Sequence, residues 1–160
     1  MTNASRSILL LAAILSLFAS VGLAAGAIAP SSDVEMSQAL NDARFIASMH
    51  ADAQVMKISG VSMLPYFNSG SLVVVKPISE ESFRKGMVIV YRNRFGETVA
   101  HKLMSRSNEG WTAKGFNNSE SDSTLVNASN VIGVVYATVH TAGDDVSAAA
   151  LPVALAAPAR

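Results

Sequence analysis

Between Ser71 and His140 the chain repeats one pattern five times: a short run rich in Val, Ile, Tyr and Thr, closed off by residues suited to turns. The runs are SLVVVKP (71–77), GMVIVYR (86–92), TVAHKLMS (98–105), WTAKG (111–115) and NVIGVVYATVH (130–140). β-Branched and aromatic side chains suit a pleated, half-buried surface. NSG (68–70), NRFG (93–96) and NEG (108–110) supply residues that tolerate positive φ. Parallel neighbours need a long crossover, so connections this short predict antiparallel pairing. The expected fold class is mainly β, an antiparallel sheet.

What precedes the sheet has a different period. Met36, Ala39, Leu40, Ala43 and Ala47 recur at helical spacing, with Asn41, Asp42 and Arg44 between them. Ser32 and Glu35 have the spacing of a capping box, in which each side chain satisfies a free backbone donor of the first turn. This predicts a short amphipathic helix packed on its own domain. A membrane-surface helix usually has a basic polar face, and this one is mixed in sign.

Residues 8–29 form an uninterrupted run of apolar and small residues, with Arg6 before it and Asp33 and Glu35 after it. About 20 such residues span a bilayer as a helix, which satisfies its own backbone groups in hydrocarbon. Positive charge stays cytoplasmic, so the rest of the chain is expected on the extracytoplasmic side, as a single-pass membrane protein. AGA (25–27) and AIA (27–29) offer small residues where a removable signal would be cut, leaving a secreted or periplasmic domain as the alternative. The length of the run favours an uncleaved anchor. The expected organisation is an anchor or signal over 1–30, helix and linker over 31–54, a β-rich domain over 55–141 and an Ala/Pro-rich tail over 142–160.

Composition removes several classes of function. The 160 residues contain 12 basic and 12 acidic side chains and no cysteine. A neutral chain has no excess of Lys and Arg to displace counterions, so nucleic acid is not an expected partner. Disulfides, a thiolate nucleophile and a Cys-type zinc site are excluded, and no cofactor is expected.

Ser62 stands out in KISGVSMLPYF (57–67). Serine needs a base and an oxyanion donor to act as a nucleophile. Gly60 lets the backbone approach a substrate, and Pro65 fixes the chain just beyond the serine. The same residues also describe an ordinary turn. Among the histidines, His101 lies within a predicted strand after a hairpin turn, where a neutral imidazole needs little tuning to serve as a base. A structural strand histidine is the competing reading. His50, placed in the helix, and His140, at the end of the last strand, read as structural or surface residues.

SGVSMLPYF resembles the serine box of the type I signal peptidases, Gly-x-Ser-Met-x-Pro. GMVIVYRNRFGETVAHKLMS resembles the strand pair whose second member carries the general base. AKGFNNSESD (113–122) resembles their Lys-Gly-Asp-Asn-Asn-x-x-Asp-Asp box, and VIGVVYATV the Ile-Val-Gly strand after it. The match spans about Lys57 to His140, and His101 at the base position resembles the histidine subgroup. Alternation puts Lys102 on the opposite strand face from His101. The chain departs from the family's Gly-Asp pairs at Gly70-Ser71, Gly86-Met87 and Gly115-Phe116. Asp122 survives as the candidate third member that orients His101, with an exposed turn aspartate as the alternative.

The resemblance implies a membrane-associated serine endopeptidase that cleaves signal peptides or related exported precursors after small, Ala-x-Ala-like residues. Its implied partners are exported precursors and membrane lipid. Ser62 would be the nucleophile, His101 the base and Asp122 the orienting acid; Gly60 and the Ser62 amide would shape the oxyanion site, and Met63 would sit near apolar substrate. The alternatives are an inactive exported peptide-binding β-domain and a specialised maturation peptidase of the same superfamily. Self-cleaving repressor peptidases share Ser-Gly-x-Ser-Met but use lysine and carry a DNA-binding domain where this chain has its apolar run.

Overall fold

The Val-rich runs fold into one six-stranded antiparallel sheet in the computed structural model, which describes residues 30–142. Helix α1 (Met36–Ser48) leads into β1 (Gln54–Lys57) and β2 (Leu72–Lys76). A 3-10 turn at Glu80–Ser82 precedes β3 (Val88–Arg92), β4 (Thr98–Arg106), β5 (Trp111–Lys114) and β6 (Val131–Val139). The sheet order is β1-β2-β6-β3-β4-β5. Each of the five predicted runs contains a strand. β1 was not anticipated, because its four residues, QVMK, show neither alternation nor a β-branched run.

The last strand in sequence lies in the middle of the sheet. β6 pairs with β2 (Val73 opposite Thr138) and with β3 (Val90 opposite Gly133), joining the β1–β2 pair to the β3–β4–β5 meander. A side chain at Gly133 would collide with the Lys76 carbonyl, so this central crossing requires glycine. The arrangement fixes the β1–β2 connection, which carries Ser62, relative to β4, which carries His101.

Alternation along β2 sends its side chains into two cores. Leu72 and Val74 pack with Ala39 and Ala43 of α1, whose small side chains let the helix lie close to the sheet. Val73 and Val75 pack with Met63, Phe67 and Val90 beneath the serine segment. A third cluster, built on Phe83, Ile89, Tyr91, Leu103 and Trp111, joins β3, β4 and β5 to the segment before β3. Each such side chain, fully buried, contributes on the order of 1.5–3 kcal/mol. The serine segment and the histidine strand are thus both seated on packed apolar layers.

Three expectations are corrected or fall elsewhere. The capping box does not form: the N-cap is Glu35, with no side-chain cap, and Ser32 Oγ instead donates to the carbonyl of His140 beyond β6. The long-range tie wins because Ser32 lies too far from the helix start at Met36. His50 lies past the end of α1, its ring edge-on to Tyr136 with centroids 4.3 Å apart. No helix among the described residues is long and apolar enough to cross a membrane, and the apolar run at 8–29 and the tail beyond residue 142 lie outside them.

Candidate active site

Ser62 sits in a tight turn between β1 and β2. Tyr66 N–H and Phe67 N–H both donate to the Met63 carbonyl, and the Leu64–Pro65 peptide is cis. Met63 is buried, 3% exposed, and plugs the segment into the apolar layer over Val73 and Val90. Met63 also lines the groove described below, from within the core. Gly60 has φ 94°, a conformation favouring glycine, while a Cβ there would meet open space.

The AKGFNN segment clamps the serine turn from outside. Asn117 N–H donates to the Ser62 carbonyl at 2.8 Å, and the Asn117 side-chain amide donates to the Val61 carbonyl at 3.2 Å. A Cβ on Gly115 would lie 2.7 Å from the Ser62 carbonyl oxygen, so this approach requires glycine. Both carbonyls flanking the serine point into the clamp. The backbone N–H of Ser62 donates to no backbone carbonyl among the described residues and remains available to an oxyanion.

His101 comes from β4, opposite Ile89 of β3, and is 7% exposed. Its Nε2 lies 3.0 Å from Ser62 Oγ and its Nδ1 2.7 Å from Asp122 Oδ2. With Nδ1–H donating to the carboxylate, Nε2 is left as an acceptor for the serine hydroxyl. Asp122 is anchored by its own N–H, which donates to the Ala113 carbonyl of β5 at 2.8 Å. The structure therefore brings together Ser62, His101 and Asp122, which are separated by 39 and 21 residues along the chain.

One residue in this constellation was missed. Tyr91, 1% exposed on β3, donates its hydroxyl to Asp122 Oδ2 at 2.7 Å. Burial, then the hydrogen bond to and the charge of Asp122, push the Tyr91 phenol well above its usual range, so it stays a neutral donor. Strand alternation could have found it: Tyr91 pairs with Val99, two residues from His101 and on the same face.

Phe116, where the family has an aspartate, serves a different purpose. Its ring packs against Tyr66 with centroids 4.0 Å apart, and Lys102 Nζ lies 3.7 Å from its centre. Lys102 is thus turned to an aromatic partner while His101 holds the serine. His140, past the end of β6, lies 3.5 Å from Ser71 Oγ and takes no part in the Ser62 site.

A groove of about 360 Å³ runs past Ser62 and His101. One wall is Met56–Gly60, continuing β1; the other is Thr98–Ala100 of β4; Met63, Val73 and Val90 supply an apolar floor. A second cavity of about 260 Å³ borders Asp122, Tyr91 and His101, with Asn93, Glu97 and Thr124 on its walls. Among the described residues there is no group of His, Asp and Glu able to hold a metal ion.

Comparison with known proteins adds two findings. The model of the family described as Peptidase S24-like matches residues 18–136, which contain all three members of the row. Signal peptidase I W of Bacillus subtilis (strain 168) is 36% identical over 75 residues, a match that covers 44% of this chain and 40% of that relative.

Proposed function

Because the chain belongs to the Peptidase S24-like family, we propose that it is a membrane-associated serine endopeptidase that cleaves signal peptides or related exported precursors after small residues. The observation that carries this reading is the unbroken row from Ser62 Oγ through His101 to Asp122, at 3.0 and 2.7 Å. His101 Nε2 takes the hydroxyl proton as Oγ attacks the scissile carbonyl, and Asp122 steadies the imidazolium that forms. The Ser62 N–H stabilises the developing oxyanion. The imidazolium then returns its proton to the leaving amine, an acyl-enzyme forms on Ser62, and a water activated by His101 hydrolyses it.

The groove suits an extended peptide. Its walls are two chain segments that such a peptide can lie between, over an apolar floor of Met63, Val73 and Val90. Residues 8–29 act as the membrane anchor in this proposal and hold the catalytic domain on the extracytoplasmic side, where membrane lipid and exported precursors meet it.

Incubation of the full chain in detergent or lipid with an Ala-x-Ala peptide tests the proposal. Cleavage after the second alanine, lost in Ser62→Ala and in His101→Ala, is expected. Cleavage that persists in both variants removes the assigned pair, and absence of cleavage by the parent chain favours a peptide-binding domain.

A further inference from the structure

Asp122 borders a cavity of about 260 Å³ on the side away from Ser62, so its carboxylate has room to turn or to take water in place of His101. Two hydrogen bonds restrain it, and both fall on the same atom: Oδ2 accepts from His101 Nδ1 and from the Tyr91 hydroxyl, each at 2.7 Å. The Tyr91 ring is buried, packed with Ile89, Leu103 and Trp111 in the apolar cluster, which holds its hydroxyl in place at the cavity edge. The hydroxyl is therefore a rigid peg that holds Oδ2 in line with the imidazole.

We propose that Tyr91 is a positioning residue of the active site, holding Asp122 in register with His101; this deepens the function proposed above and rests on it for its kinetic consequence. A phenol donating to a carboxylate oxygen fixes that oxygen's place through a charge-assisted hydrogen bond. The ionisable groups around His101 are Asp122, Tyr91 on β3, Glu97 on the wall of the second cavity and Lys57 on the groove wall of β1. Among these, Tyr91 and Asp122 are joined to it by an unbroken run of hydrogen bonds.

The test is Tyr91→Phe, which keeps the ring and removes the peg. In the full chain, kcat/KM for an Ala-x-Ala peptide is expected to fall about tenfold, the scale of one hydrogen bond to a charged group, with KM little changed. The low-field proton resonance of the His101 Nδ1–H bonded to Asp122, assigned with His101→Ala, is expected in the parent chain and to be lost or moved upfield in Tyr91→Phe, a readout that needs no substrate. A parent-like resonance in Tyr91→Phe overturns the proposal whatever the chain cleaves. A lost or moved resonance in a chain that cleaves nothing leaves Tyr91 as the positioning residue and removes the peptidase reading instead.

Discussion

Residue by residue, the site is a set of groups whose neighbours leave each one role. Ser62 offers a hydroxyl to a histidine that is already donating its other nitrogen to Asp122. Asp122→Asn exchanges the acceptor that selects this tautomer for a group that can donate, so turnover is expected to fall on the order of a thousandfold while substrate binding persists, read by steady-state kinetics. Tyr91 makes a separate prediction. Folding raises its phenol above the ordinary value of about 10, so its neutral form stabilises the fold fully below about pH 10, and that contribution is lost as pH rises beyond it. Thermal unfolding followed across that window should show a decline that Tyr91→Phe flattens. Ser62 and His101 were legible as candidates only through the order of the motifs around them, since each alone also reads as an ordinary turn or strand residue. Asp122 was legible only as one of two readings, and Tyr91 was missed: alternation could place it on the face of His101, but its partner lies 31 residues away and its strand reads as ordinary core.

The elements act by bringing these groups within bonding distance. The serine turn is seated from below by Met63 and Phe67 and clamped from outside by Gly115 and Asn117. Gly115→Ala places a methyl 2.7 Å from the Ser62 carbonyl, so it is expected to cost about 1–3 kcal/mol of stability and to reduce activity further by displacing the turn. Denaturant unfolding together with kinetics separates the two effects. The clamp could not be read from AKGFNN, because the need for glycine comes from a carbonyl more than 50 residues away in the chain. The Ser32–Glu35 pair is the opposite lesson: the local pattern was present, yet Ser32 Oγ bonds the carbonyl of His140. A capping pattern describes what a helix start can use, and tertiary structure supplied Ser32 with another partner.

Over the whole molecule, β6 is what makes a site out of distant segments. Inserted between β2 and β3, it holds the half of the sheet carrying Ser62 against the half carrying His101. Gly133→Ala, at the crossing of β6 with Lys76, is expected to destabilise the chain by about 1–3 kcal/mol or more and to weaken activity through the spacing of the two halves, although Gly133 touches neither residue. Urea unfolding with kinetics at matched folded fraction reads both. Antiparallel pairing was legible from turn spacing, but the central place of the last strand was not, since short connections say nothing of where a returning strand inserts. At this scale the apolar run also has its test. In the proposed arrangement the chain sediments with membranes, and N-terminal sequencing finds the run intact; a new terminus just after Ala27 would mean a removed signal.

The central claim is that Ser62, activated by His101, forms an acyl-enzyme. Its most direct measurement is intact-mass and peptide-mapping mass spectrometry of the full chain after exposure to a serine-directed acylating inhibitor. The account predicts one adduct, on Ser62, absent from Ser62→Ala and slowed in His101→Ala. An unmodified Ser62, or an adduct that survives its replacement by alanine, would contradict it.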